Sequence, residues 1–593
     1  MLPLIDLGLL QLDCLRFLPE FVACAGIVLF LLVRLFDRSH MGSIALTITL
    51  VALGLSVMQW YGNFNLDSPR ANATVFEGQF RSCFSGLLIY DHITIYLRCF
   101  LYGFTALVIW LTLTTGIPDR EDSADFYCLL LGATVGMVVM ASAAHLLMVY
   151  IGIEMASLPS YALAGYLKGR RQSSEAALKY VVYGGGAAGV MLYGISLLAG
   201  RFGTAYLPDV AVGLMYSFYH PGGGVTFDPL LVMGVLFILI GIAFKLAAVP
   251  FHFWCPDVFE GASAEVAGYL SVASKGAAIA LLARLVLFLS GVDPMVQPVV
   301  GEHWDALVRY LLPALAFFAT LTATFGNLAA YLQNNLKRLL AYSTIAHAGY
   351  MMMGLAAFRP VGVGSRFELP GLQAVLFYLA AYLFMNLGAF AIVAYLRNET
   401  GSEDLGDYRG LVRRSPWMVV MLSVFLLSLL GIPPLVGFTA KFQIFSVLWD
   451  CSQVWYQHGD AGMGATLFGL LIVGGVNSVL SAVYYLKVMK VMILEGRAED
   501  LEGREPARLP EPFPAVLFSG IMALLVLFLG IRWTELDRFS NEGVNRFAAR
   551  SESEGGPRGQ STAPGGPPQN RPGRPPGMGA GQGDNDDARG QRP

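Results

Sequence analysis

Met233-Gly-Val-Leu-Phe-Ile-Leu-Ile-Gly-Ile-Ala-Phe-Lys245-Leu-Ala-Ala-Val-Pro250 puts a lysine inside an apolar run long enough to cross a bilayer. An ammonium at that depth costs about 2.5–3.5 kcal/mol on insertion scales, so Lys245 is a functional-site candidate by default. Pro250 has no N–H for a continuing helix and predicts a break just beyond the lysine. A second stretch, Leu430-Gly-Ile-Pro-Pro-Leu-Val-Gly-Phe-Thr-Ala-Lys441, carries the same parts in the opposite order: Pro433 and Pro434 first, then Lys441. Two buried lysines on two broken helices point to a device that moves charge across a membrane.

Composition agrees. The 593 residues are 55% hydrophobic and only 14% charged, whereas soluble domains carry about 25% charge. Mean hydropathy is +0.58. The expected fold class is therefore all-α, a polytopic membrane protein. The net charge of -3 identifies no partner, because membrane proteins sort their charge by side. Cysteines 14, 24, 83, 99, 128, 255 and 451 form no C-x-x-C pair and no metal-ligand spacing. No strand-linked G-x-G-x-x-G and no phosphate-binding G-x-x-x-x-G-K is present. The reading is that this chain holds no cofactor and no metal, and contacts no nucleic acid. No basic region precedes the first apolar stretch, so that stretch is expected to be retained.

A span needs about 20 mostly apolar residues. Fourteen candidates start near residues 16, 42, 92, 125, 145, 174, 229, 263, 306, 338, 372, 417, 462 and 513. One set of alternate loops is rich in base: Arg34 and Arg38; Lys168, Arg170 and Arg171; Lys337 and Arg338; Arg409, Arg413 and Arg414; Lys487 and Lys490. By the positive-inside rule these face the cytoplasm. Both termini, and the linkers at 63–90, 201–228 and 291–305, then face the periplasm. Helices 1–3 occupy 1–124. Helices 4–8 (125–290) and helices 9–13 (306–494) form two five-helix units, each with its lysine-bearing broken helix in fourth place. An odd number of helices inverts the second unit relative to the first, the architecture in which broken helices mark an ion site near the midplane. Helix 14 covers 512–532. Residues 550–593 collapse into Gly, Pro, Ser, Gln, Arg and Asp; with no apolar face to bury, they are expected to be disordered.

Other ionisable residues lie mid-span. Glu154 follows Leu146-Leu-Met-Val-Tyr-Ile-Gly-Ile. It is either a structural carboxylate or the charge that tunes a buried lysine. At about 7 Å and an effective dielectric of about 20, such a pair interacts by roughly 2–2.5 kcal/mol, enough to switch the lysine between holding and releasing a proton. Lys275, in Gly268-Tyr-Leu-Ser-Val-Ala-Ser-Lys275, has apolar residues on both sides, which argues against snorkelling. His347 lies mid-span in Tyr342-Ser-Thr-Ile-Ala-His347-Ala-Gly-Tyr350, where Ser343, Thr344 and Tyr350 offer polar neighbours. His252 follows the first break. Lys179 stands four residues after Glu175, and that spacing also fits a pair decorating a helix end.

Phe244-Lys245-Leu-Ala-Ala-Val-Pro250-Phe-His252-Phe-Trp254-Cys-Pro256-Asp257-Val-Phe-Glu260-Gly261-Ala resembles the broken seventh helix of the antiporter-like subunits of respiratory complex I, in the form typical of subunit N. Ser173-Ser-Glu-Ala-Ala-Leu-Lys179-Tyr and Leu336-Lys-Arg-Leu-Leu-Ala-Tyr-Ser-Thr-Ile-Ala-His347-Ala-Gly-Tyr fit the same form. The resemblance covers about 16–530 and not the tail. It implies a proton-pumping NADH–quinone oxidoreductase of a bacterial inner membrane. FMN, iron–sulfur clusters and quinone would be held by other subunits. Neighbouring membrane-arm subunits, lipid, protons and water would be the partners of this chain. It assigns the relay to Glu154, Lys179, Lys245, Lys275 and Lys441; His347 joins them by position. A subunit of a multi-subunit sodium/proton antiporter, which shares the fold, is the alternative. A non-pumping structural segment is a third reading, against which the cost of idle intramembrane lysines argues.

Overall fold

The computed structural model describes residues 7–35, 40–61, 82–118, 122–218, 228–293, 305–361, 367–496 and 508–545, all within the compact unit Met1–Phe547. The tail expected to be disordered, 550–593, lies outside the described residues. The described residues form a helical bundle. Among the described residues the only sheets are two hairpins of two-residue strands, Ser82–Cys83 with Leu88–Ile89 and Arg359–Pro360 with Phe367–Glu368.

Each of the fourteen expected starts meets a helix. α1 (Leu7–Arg16) turns by 72° into α2 (Leu18–Val33), where Pro19 cannot extend the preceding ladder. α3 (Met41–Trp60) and α4 (His92–Thr115) complete the N-terminal group. Then follow α5 (Ser123–Ser142), α6 (Leu146–Ala164), α7 (Arg171–Phe202), α8 (Leu207–Phe218), α9 (Pro229–Leu246), α10 (Trp254–Gly261), α11 (Ala264–Tyr269) and α12 (Lys275–Leu289). The last group is α13 (Asp305–Ala330), α14 (Leu336–Leu355), α15 (Gly371–Thr400), α16 (Leu411–Arg414), α17 (Pro416–Leu430), α18 (Val436–Gln457), α19 (Ala461–Ile493) and the helices Phe513–Ile531 and Trp533–Asn545. By length and hydropathy alone eleven described helices can cross a membrane, or twelve if the bent α1–α2 pair is one span. The other two starts fall on α14, which begins with Lys337 and Arg338, and on the fifteen-residue α17.

Two helices of twelve or more residues lie where the sequence suggested none. The linker 201–228 contains α8, whose buried Leu207, Val210, Ala211, Leu214, Met215 and Phe218 recur at helical spacing. After the last span, Trp533–Asn545 clasps separate helices together. Its Phe539 ring packs 4.6 Å from Trp60 and 5.1 Å from Tyr96, and Asp537 accepts from Gln373 and Gln443, each at 3.0 Å.

Both expected breaks are present. α9 stops after Leu246, with Ala247 left-handed (φ 57). The carbonyl of Phe244 accepts from Ala247 N–H and from the Trp254 indole, each at 3.0 Å. Val249 N–H donates to Thr322 of α13 at 3.2 Å. α17 stops at Gly431 (φ 93), a conformation that glycine adopts without a Cβ clash. Beyond it Gly437 lets α18 approach α17 so closely that a Cβ there would meet Ser428 O at 1.8 Å. Unpaired backbone at membrane depth must be satisfied by protein or water, and at both breaks side chains supply part of this.

Candidate functional site

The buried lysines stand where helices are interrupted. Lys245, fully buried, occupies the last turn of α9. Its ammonium donates to Ser157 Oγ of α6 at 3.0 Å. Ser157 is one turn after Glu154, so the expected acid and base share a neighbourhood without direct contact. Glu154 is partly buried, and its Oε1 is enclosed without a hydrogen-bond partner among the described residues.

Lys275, also buried, opens α12 directly after a π-helical segment, Leu270–Ser274. Such segments re-aim the following side chain and are frequent at functional sites. Its Nζ donates to Thr344 Oγ1 of α14 at 2.6 Å. The π segment is anchored by Asn386, whose amide donates to Ser271 Oγ at 2.5 Å. Nothing in the apolar periodicity of 268–289 signals this segment.

α14 threads the remaining parts. Thr344, His347 and Tyr350 lie three residues apart and so line one face. His347 Nδ1 is 2.5 Å from the Tyr378 hydroxyl, and its Nε2 is 3.2 Å from that of Tyr485. Tyr485 in turn lies 2.5 Å from Ser343 Oγ. Lys441, on the second turn of α18, donates to Leu430 O at 2.9 Å, the carbonyl freed by the second break, and to Ser478 Oγ of α19 at 3.2 Å. Its ammonium also sits over the Tyr350 ring, 4.8 Å from the centroid. The structure thus brings Lys275 of α12 and Lys441 of α18 against α14, the helix that carries His347. Tyr378 and Tyr485 were missed in the sequence; within apolar helices, buried tyrosines read as core.

The rings of Tyr161 and Tyr180 meet edge to face, 4.6 Å apart. The buried hydroxyls of Tyr180 and Ser274 face each other. His252 is buried against the rings of Phe253 and Phe325, at 4.4 and 4.5 Å. Lys179 sits apart from the buried lysines. About a third exposed, it pairs with Glu175 at 2.8 Å and with Asp257 of α10 at 2.6 Å. Arg338 of α14 closes this cluster, bridging Asp257 at 2.6 Å and Glu260 at 2.7 Å.

Chemically, the arrangement offers three enclosed ammonium groups, a carboxylate within electrostatic reach of the first, and imidazole and hydroxyl groups that both donate and accept. That is the inventory of a proton relay.

The profile of the family described as "NADH:quinone oxidoreductase/Mrp antiporter, TM" matches residues 143–468. The chain is 36% identical over 556 residues to the NADH-quinone oxidoreductase subunit N of Anaeromyxobacter sp. (strain Fw109-5), covering 92% of this chain and 99% of that one. It resembles a chain of respiratory complex I from Thermus thermophilus with bound aureothin at a TM-score of 0.64 and 28% identity, covering 88% and 98% of the two chains. It also resembles a chain of the Mrp complex from Dietzia sp. DQ12-45-1b at a TM-score of 0.70, covering 92% and 99%. At 18% identity that likeness shows a shared fold only.

Proposed function

The chain belongs to the subunit N family of NADH–quinone oxidoreductases, and from that premise we propose how its side chains carry protons across the membrane. It is a membrane-arm subunit of a proton-translocating complex whose electron transfer takes place in other subunits. The antiporter alternative shares the fold but not this degree of sequence identity.

In this reading protons enter from the cytoplasmic side near α10–α12. They pass along Lys245, Lys275, His347 and Lys441, and leave towards the periplasm. The observation that carries it is α14, which joins the Lys275 and Lys441 sites through Thr344, His347 and Tyr350. Glu154 sets the charge felt by Lys245. Lys179 belongs to the cytoplasmic entry, where Glu175 and Asp257 share its ammonium. The lysine–proline order reverses between the breaks, which supports two inverted five-helix units within fourteen spans. The basic loops support cytoplasmic placement of the Lys337–Arg338 end and periplasmic termini. FMN, iron–sulfur clusters and quinone are assigned to other subunits, and the neighbours of this chain are other antiporter-like membrane-arm subunits.

Purification of the complex through a tag on this chain tests the reading. NADH-dependent quinone reduction coupled to proton uptake in reconstituted vesicles is the expected result. Sodium/proton exchange without quinone reduction would overturn it.

A further inference from the structure

α19 is apolar towards lipid but carries a polar stripe on its inner side. The stripe starts at Ser478, which accepts from Lys441. Next to it, Asn477 Oδ1 accepts from the amide of Asn327 of α13 at 3.1 Å. Asn327 Oδ1 accepts from the Tyr484 hydroxyl at 3.0 Å, and its amide also reaches the Tyr350 hydroxyl at 3.3 Å. The Tyr484 ring lies 6.1 Å from that of Tyr331, and Lys487 Nζ donates to Tyr331 O at 3.3 Å. Lys487 lines an open cleft of about 1130 Å³, together with Asn334, Asp404, Arg409, Lys490 and Glu495. The route from Lys441 to this cleft avoids Lys245, Lys275 and His347.

Interhelical polar pairs in membranes serve as glue between helices. The Asn327–Asn477 pair alone would satisfy that role. Glue does not account for the two ends of the stripe, a buried ammonium and a cleft lined by carboxylates and cations. We propose that this stripe is a second inlet, through which Lys441 takes protons from the cytoplasmic face without the first broken helix. Asp404 and Glu495 at the mouth collect protons. Tyr484, Asn327 and Asn477 order the water that carries them inward. The side assigned to the cleft rests on the orientation proposed above.

The test uses the whole complex in vesicles with the cytoplasmic face outward. Val483 stands exposed on the rim of the cleft. A Val483→Cys variant is labelled with the membrane-impermeant 2-(trimethylammonium)ethyl methanethiosulfonate, and completeness is read by mass. A second arm uses Tyr484→Phe, which keeps the ring and removes the hydroxyl. Each arm should lower protons translocated per NADH about twofold, since a proton cannot cross the gap without a partner, while uncoupled NADH oxidation stays unchanged. Unlabelled Val483→Cys and labelled parent should pump normally. Full pumping in either arm, or failure of the reagent to reach Val483→Cys, overturns the inlet. A Lys245→Ala complex reads the relay separately. If it loses pumping while both arms here retain it, the relay stands and the inlet falls. If it pumps normally, the relay itself is removed.

Discussion

The Lys441 ammonium stands 4.8 Å over the ring of Tyr350, one helical turn beyond His347 on α14. A desolvated cation over an aromatic face gains about 2 kcal/mol, and the Leu430 carbonyl and Ser478 hydroxyl add hydrogen bonds to the same group. The charged form of Lys441 is thus held by groups from three helices. Tyr350→Phe keeps the aromatic face and should retain most proton pumping. Tyr350→Leu removes it and should lower protons per NADH severalfold. Equal pumping by the two variants in vesicles would show that the ring is packing only.

Lys245→Ala should leave the complex assembled and quinone reduction present, with coupled pumping reduced. Lys245→Arg should fail too, because a guanidinium stays charged and cannot cycle its proton. Proton uptake measured beside NADH oxidation separates the two activities. Normal pumping by the arginine variant would rule out proton exchange at this site.

Lys245 donates to Ser157, one turn after Glu154 on α6, and acts on the carboxylate through space. If charge is what Glu154 supplies, Glu154→Gln and Glu154→Ala should lose pumping to a similar degree. That is the expected result. A silent glutamine beside a defective alanine would instead make Glu154 a packing group.

Much of the site was legible because lysine and proline are costly at membrane depth. Lys245, Lys275 and Lys441 stand out for that reason, and their burial follows. What linked them was not legible. Tyr378, Tyr485, Asn327 and Asn477 lie on helices far apart in the chain, and a buried tyrosine looks like core until its hydroxyl finds a partner. The π segment before Lys275 and the clasp of Trp533–Asn545 depend on tertiary packing that no short-range pattern encodes. The Glu175–Lys179 spacing did indicate a surface pair. It did not indicate Asp257, which is brought there by the turn at Pro250.

A buried ion pair outside the relay has its own expected outcome. Arg284 of α12 holds Asp91, the N-cap of α4, in a two-pronged contact at 2.8 and 3.1 Å. Burial pushes the Asp91 carboxyl up, but the Arg284 charge and hydrogen bonds, with those from Thr94, outweigh it and hold the carboxyl well below its usual range. A carboxyl lowered on folding adds stability that is present above its unfolded pKa and is lost only as pH falls through the folded one. The pair should therefore contribute equally at pH 7 and pH 5. Asp91→Asn removes the carboxylate paired with a buried guanidinium, leaving it only the field of Asp293, and should cost up to about 3–5 kcal/mol. Thermal unfolding of the purified complex at both pH values checks this. An unchanged midpoint for Asp91→Asn would mean that Arg284 finds another partner.

The final expectation concerns Lys179 and the clamp on α10. Asp257 accepts from both Lys179 and Arg338, each at 2.6 Å. Lys337 donates to Ala262 O at the end of α10 at 2.6 Å and pairs with Glu403 at 2.9 Å. The helix that follows the first break is thus tied to α14, the same rod that carries Thr344, His347 and Tyr350. If Lys179 acts by holding Asp257, an arginine should replace it, because the ion pair survives even though a guanidinium cannot release a proton. If Lys179 passes protons, Lys179→Arg and Lys179→Ala should fail alike. The geometry favours the clamp, so Lys179→Arg should pump nearly as the parent and Lys179→Ala should lose coupling with quinone reduction retained. Arg338→Gln should resemble Lys179→Ala, since each removes one of the two cations on Asp257, and the glutamine also frees Glu260. Protons translocated per NADH by the three variants decides the matter, and an arginine variant as defective as the alanine one would move Lys179 from the clamp into the relay.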